Sequence, residues 1–235
     1  MLKKLYPTNV FSLITKTINV TTVLFLVLIF CGLIQSLWIS PIDYIQGDTV
    51  RIMYVHVPSS WIALGCFAAI GFFSILNFIY KNKNFALIGK SLSVLGLMFT
   101  VVSITTGSLW GKPTWGTWWA WDARLTSMLI LSLFYLLYML SWKIISDPIL
   151  SCKISSIIAI IGLVNLPIIK YSVNWWYTLH QPSTIKVINE STIHISMLIP
   201  LMLMFSALMA YSAIIFLMKY KIEIIKLKNK GLDRL

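Results

Sequence analysis

The sequence predicts an all-α polytopic membrane protein with six transmembrane helices and a Trp-rich extracytoplasmic loop between helices 3 and 4. Three observations carry that prediction. Of 235 residues, 58% are hydrophobic and only 11% charged, with a mean hydropathy of +0.85, which leaves too little polar surface for a soluble globule. The apolar residues gather into six runs, each near the roughly 20 residues that cross a bilayer core. Backbone groups in hydrocarbon must bond internally, so these runs are helices and not open strands. The third observation is that the charges sort by side.

The first expected span covers 17–40. Met1-Leu2-Lys3-Lys4 precedes it, and its end, Ile39-Ser40-Pro41, lacks a small-x-small cleavage pattern, so it reads as a retained signal anchor. The second covers 60–80, entered through Arg51-Ile52-Met53-Tyr54-Val55-His56-Val57-Pro58, with His56 just before the span. The third covers 85–109. Residues 110–124 form the Trp-rich loop, and 124–142 the fourth span. The fifth, 154–173, contains Asn165 and Pro167; the sixth, 193–218, contains Pro200. Those residues mark bends whose freed backbone groups need partners. No compositional break divides the chain, so 1–235 reads as a single integral membrane domain.

On this layout fourteen of the nineteen Lys and Arg, with three of the seven acids, fall at one set of span ends. Arg51, Lys112, Arg124, Lys170 and Lys186, with Asp43, Asp48, Asp122 and Glu190, fall at the other. The positive-inside bias then puts both termini in the cytoplasm and the Trp-rich loop outside. The basic tail reads as a topology signal and headgroup contact. Scattered positive charge at span ends excludes a nucleic-acid partner. Cys31, Cys66 and Cys152 form no C-x-x-C, which excludes a dithiol site and covalent haem attachment. Gly107 to Lys112 only faintly resembles a phosphate loop: Thr106 replaces the first glycine and Pro113 the magnesium-binding hydroxyl. The chain carries no nucleotide-hydrolysing motif of this kind.

Chemistry gathers on the expected outer face. Trp110 to Trp121 holds five of the ten tryptophans, and only Trp142 falls at the inner face. An aromatic belt would divide them more evenly between the two interfaces, so the cluster reads as a shelf for a flat ligand. Trp115, Trp118, Trp119 and Asp122 fall at i, i+3, i+4 and i+7, so one helical face could carry them. His56 and His180 share the local pattern His-x-Pro-Ser on two loops flanking the shelf. Haem iron leaves two axial positions for imidazole, and Arg51, Arg124, Lys112 and Lys186 could meet propionates. His194 reads as a helix-entry residue. Asp122 and Arg124 read equally as an ion pair capping the fourth span, and Trp175-Trp176 equally as belt residues.

The run Trp115-Gly116-Thr117-Trp118-Trp119-Ala120-Trp121-Asp122-Ala123-Arg124 resembles the WWD motif of haem-handling proteins in cytochrome c maturation. Within that superfamily the chain is most similar to the heme exporter protein C (CcmC) family. "RIMYVHVP" at 51–58, "GSLWGKP" at 107–113 and "NLPIIKYSVNWWYTLHQPS" at 165–183 agree with it, as do length and span number. The resemblance implies a non-enzymatic protein binding haem b transiently and non-covalently at the outer face of the bacterial inner membrane, or its mitochondrial equivalent. A lyase-like role in loading stays open. It implies delivery of haem to a membrane-anchored haem chaperone. Further companions would be an ABC-type ATPase with its permease subunit and a small single-span subunit. The axial ligands would be His56 and His180, and the haem platform Trp115, Trp118, Trp119, Trp121 and Asp122. Propionate contacts would fall to Arg51 and Arg124. Two alternatives stay open: a haem-translocating permease subunit of an ABC-type exporter, and a scaffold whose Trp loop binds a partner without touching haem.

Overall fold

The computed structural model describes residues 7–180 and 193–229. Its helices are α1 (Pro7–Ile34), α2 (Met53–Tyr80), α3 (Lys83–Trp115), α4 (Ala123–Ile144), α5 (Pro148–Gly162), α6 (Asn165–Trp175) and α7 (Ile195–Asn229). A π turn, Gln35–Ile39, prolongs α1, and a 3-10 turn, Asp48–Ile52, leads into α2. Six stretches are long and apolar enough to span a membrane, α5 and α6 together making the fifth.

Local chemistry sets the ends. Asn82 accepts from the Asn84 N–H at the start of α3. Asp147 accepts from Ile149 and Leu150 at the start of α5, with Pro148 at the first position, where its missing N–H costs nothing. Pro167 lacks the N–H that would reach the Leu163 carbonyl, and the helix divides there. The Leu166 N–H takes that carbonyl at 3.1 Å, and Asn165 Nδ2 donates to the Ser127 carbonyl at 2.9 Å, tying the break to α4. The bend expected in the fifth span is therefore a two-helix junction. α7 runs through Pro200 as one helix.

The helices outrun several expected bounds: α1 begins at Pro7, α5 at Pro148, and α7 continues to Asn229. Two differences bear on the site. The second span begins earlier, because the 3-10 turn nucleates helix from Asp48; His56 and Pro58 lie inside α2, not before it. The third continues past 109 through Pro113 to Trp115. There the Thr114 hydroxyl donates to the Trp110 carbonyl at 2.7 Å. Gly116, at φ +78°, ends the helix in the left-handed region open to glycine. Half of the expected loop is thus helical, and the connection is 116–122.

α2 lies along α3, and α1 along α7. The main core runs between α2, α3, α4 and α5 through Ala63, Phe67, Ile70, Leu95, Leu131, Tyr135, Tyr138 and Ala159. Tyr135 lies so close to Gly96 that its ring and hydroxyl fill the space a Cβ would need. That hydroxyl donates to the Ala63 carbonyl at 2.6 Å, bridging α4 to α2. The buried hydroxyls of Ser91 and Thr100 donate to carbonyls one turn back, which satisfies them within their own helix. α1 leaves Val20, Val23, Leu24, Val27 and Phe30 exposed, a lipid-facing surface.

Candidate functional site

Four adjacent residues of one α3 face build the first half of the site. Ser103, Thr106, Gly107 and Trp110 fall at i, i+3, i+4 and i+7, and all four meet His56 of α2. The His56 Nδ1 lies 3.0 Å from the Ser103 carbonyl and 3.1 Å from the Thr106 hydroxyl. A carbonyl only accepts, so Nδ1 carries the proton. The Thr106 hydroxyl gives its own proton to the Val102 carbonyl at 2.7 Å and likewise faces the ring as an acceptor. His56 therefore presents Nε2 with its lone pair free. Gly107 permits the approach: a Cβ there would stand 3.0 Å from His56 Cε1. The Trp110 ring meets the imidazole edge-on at 5.8 Å between centroids. Its Nε1 donates to Gln46 Oε1 at 2.8 Å.

Asp122 builds the second half. Its Oδ1 accepts from the Leu125 N–H at 2.8 Å, capping α4. Its Oδ2 lies 3.1 Å from His180 Nδ1 and accepts from the Leu179 N–H at 3.3 Å. The carboxylate holds the proton on Nδ1, and Nε2 of His180 has no partner among the described residues. This carboxylate–imidazole arrangement orients metal-binding histidines and raises their basicity. Trp115 packs edge-on against His180 at 4.7 Å. Burial first, and the Arg124 charge second, hold the His180 pKa below the ordinary imidazole value, against the opposing pull of Asp122. The ring is neutral at pH 7.

The expected helical stripe is not formed. Trp115 is the last residue of α3, whereas Trp118, Trp119 and Asp122 lie beyond the Gly116 stop on irregular backbone. The connection folds on itself, the Thr117 hydroxyl donating to the Trp119 carbonyl at 2.9 Å. Trp119 and Trp121 meet edge-on at 5.5 Å. Trp118 and Trp121 are exposed, and Lys112 stands over the Trp118 ring at 5.9 Å. Trp119 Nε1 is buried without a hydrogen-bond partner among the described residues, a costly state that an incoming acceptor would relieve.

The cations divide. Arg51 is engaged within the protein, donating to Asp48 Oδ1 at 2.9 Å and to the Ser36 carbonyl at 2.8 Å. The side chain paired with the Asp122 carboxylate is His180 and not Arg124. Arg124 forms no hydrogen bond or ion pair among the described residues, yet its charge acts on His180. His194 stands at the entry to α7, its Nδ1 accepting from the Ser196 N–H, as expected of a helix-entry residue. Lys186, Pro182 and Ser183 lie outside the described residues.

Gln46, Ser103, Thr106 and Gly107 were not expected as site residues. The signal for the last three was available: they share with Trp110 the helical period that was assigned to the tryptophans further along. Gln46 had no local signal, since its partner is 64 residues away.

Two imidazoles anchored through Nδ1, with an indole N–H and a guanidinium that have no partner among the described residues, fit an iron porphyrin better than a bare ion. Among the described residues no group of three or more His, Cys, Asp or Glu comes together, whereas a porphyrin brings four nitrogens of its own. These features lie on a six-span helical scaffold.

Comparisons with known proteins show the family. The family profile described as heme exporter protein C (CcmC) matches residues 1–234. The chain is 36% identical to a heme exporter protein C of Bradyrhizobium diazoefficiens, over 97% of this chain and 86% of the relative. It is 38% identical to that of Haemophilus influenzae, over 86% and 82%. It is 45% identical over 78% of both chains to a ccmC-like mitochondrial protein of Marchantia polymorpha, named for cytochrome c biosynthesis. The chain belongs to the heme exporter protein C family, multi-pass membrane proteins that handle haem in cytochrome c biogenesis and are not enzymes.

Proposed function

We propose that the protein holds haem b, non-covalently and transiently, with His56 and His180 as the axial ligands through their Nε2 atoms. The observation carrying this reading is that both imidazoles donate through Nδ1, to the Ser103 carbonyl and to Asp122, leaving Nε2 of each without a partner among the described residues. Trp115, Trp118, Trp119 and Trp121 supply the aromatic platform, with Asp122 as its anchor. Arg124 is the propionate partner that the geometry favours; Arg51 serves only if it exchanges its bond to the exposed Asp48. The site lies at the outer face of the inner membrane, both termini being cytoplasmic.

From there haem is passed to a membrane-anchored haem chaperone. One imidazole gives way to a ligand of the acceptor, so the exposed Trp118 and Trp121 edge is where the acceptor approaches. An ABC-type ATPase with its permease subunit and a small single-span subunit complete the assembly. The alternative role of haem-conducting permease finds little support, because the buried hydroxyls within the spans bond mostly to their own helices.

The test is the optical spectrum of the purified protein loaded with haem. Wild type gives the six-coordinate, bis-imidazole spectrum. His56→Ala and His180→Ala singly give five-coordinate or exchangeable spectra, and the double variant fails to retain haem. An unchanged six-coordinate band in the double variant refutes the ligand assignment.

A further inference from the structure

The segment between α1 and α2 is built inside out. Its polar groups are consumed internally. Asp43 Oδ1 accepts from the N–H groups of Ile45 and Gln46 at 2.9 and 2.8 Å. The Gly47 N–H returns to the Asp43 carbonyl at 2.8 Å, and the Thr49 hydroxyl donates to the Gln46 carbonyl at 2.7 Å. Ser40 is bonded to Tyr54. What points away is apolar: Trp38 is 73% exposed, Tyr44 95% and Ile45 77%, with Ile39 and Ile42 beside them. A water-facing loop would show the opposite arrangement, and a contiguous patch of large apolar side chains marks a contact surface.

Position says what the contact is. The patch starts where the apolar run of the first span ends, at Ile39. It continues the lipid-facing side of α1, on which Val27, Phe30 and Leu33 are exposed. Tryptophan and tyrosine favour the headgroup level of a bilayer, and isoleucine the acyl boundary just beneath it. The exposed carboxylate of Asp48, five residues past Asp43, marks the return to water.

We propose that residues 37–45 are seated in the interfacial layer of the leaflet on the His56 side of the membrane. Trp38, Ile42, Tyr44 and Ile45 lie among headgroups and upper acyl chains. The occupant of the patch is lipid. Because Gln46 follows directly and holds Trp110, the seated loop sets the height of Trp110, and with it the wall beside His56, relative to the bilayer. This inference goes beyond haem handling and stands whatever the site binds.

The experiment uses the full chain in phosphatidylethanolamine–phosphatidylglycerol vesicles. The emission of wild type minus that of Trp38→Phe isolates the Trp38 signal. That signal is quenched several-fold more by lipids brominated near the headgroup end than by lipids brominated at the chain terminus. As a second measurement, nitroxides are placed singly by Ile45→Cys, Val27→Cys and Asp48→Cys in a Cys31→Ala, Cys152→Ala background that keeps the buried Cys66. The label at Ile45 collides with oxygen several-fold more often than with a water-soluble nickel chelate, as at Val27, while the label at Asp48 shows the reverse. Insensitivity of Trp38 to bromine at both depths, or a label at Ile45 that behaves like the one at Asp48, overturns the proposal. Shielding of the Ile45 label from both quenchers also overturns it, and assigns the patch to a protein contact instead.

Discussion

Asp122 and His180, 58 residues apart in sequence, are joined at 3.1 Å through Oδ2 and Nδ1. The other oxygen of the same carboxylate caps α4. One side chain thus fixes both the direction in which the fourth span starts and the tautomer of an imidazole on a different segment. The Asp122 side chain is only 7% exposed, so solvent does little to weaken either role.

The two roles separate by substitution. Asn caps a helix about as well as Asp, so Asp122→Asn keeps α4 in place but takes the carboxylate from His180. Haem affinity falls ~10–100-fold, the usual effect of losing a partner behind a metal-bound histidine, while thermal stability changes little. Asp122→Ala loses the cap as well, at about 1 kcal/mol. Haem titration beside thermal unfolding distinguishes the pair.

Gly107→Ala moves stability and binding in opposite directions. Alanine within α3 favours helix by about 1 kcal/mol over glycine. Its methyl would stand 3.0 Å from His56 Cε1, so the ring must shift by a few tenths of an ångström. The melting temperature holds or rises, haem binding weakens, and the low-spin EPR signal of the ferric complex changes. A variant with unaltered spectrum and affinity shows that His56 does not depend on this contact.

Gly96→Ala tests the core. Tyr135 fills the position of the new methyl, and overpacking of this kind costs typically 1–3 kcal/mol. Tyr135→Phe alone loses the bond to the Ala63 carbonyl, yet combined with Gly96→Ala it relieves part of the crowding. The double-variant cycle therefore gives a favourable coupling, read as recovered thermal stability in detergent.

The His180 pKa is depressed by burial and by Arg124. Between that pKa and the ordinary imidazole value of about 6.5 the unfolded chain binds more protons than the folded one. The contribution is fully present above the ordinary value and is lost as pH falls through the folded one. Arg124→Gln removes one cause of the depression, so in the haem-free protein His180 titrates at higher pH than in wild type. Histidine NMR resonances measure both pKa values; an unmoved His180 means Arg124 exerts no field there.

Much of this architecture was legible along the chain. Six apolar runs give six spanning stretches because hydrocarbon tolerates only internally bonded backbone. The boundaries were less legible. His56 was placed before its helix because Pro58 reads as a start signal, whereas the 3-10 turn from Asp48 had already begun it. The third span is expected to end at 109, but the helix continues through Pro113 to Trp115, the Thr114 hydroxyl bonding back to Trp110. The i, i+3, i+4, i+7 spacing of Trp115, Trp118, Trp119 and Asp122 makes no helical face because Gly116 ends α3, whereas the same spacing at Ser103, Thr106, Gly107 and Trp110 lies within the helix.

The sequence by itself determined the membrane-spanning class, the clustering of indoles, and the two histidines as candidates, because hydrophobicity, composition and motif are local properties. Only the tertiary structure decided which nitrogen each histidine presents, that Arg51 is engaged while Arg124 has no partner among the described residues, and that Gln46 ties a distant loop to Trp110. Those are facts of hydrogen bonding between segments tens of residues apart. They exist only once α2, α3 and the Asp122 turn are packed together.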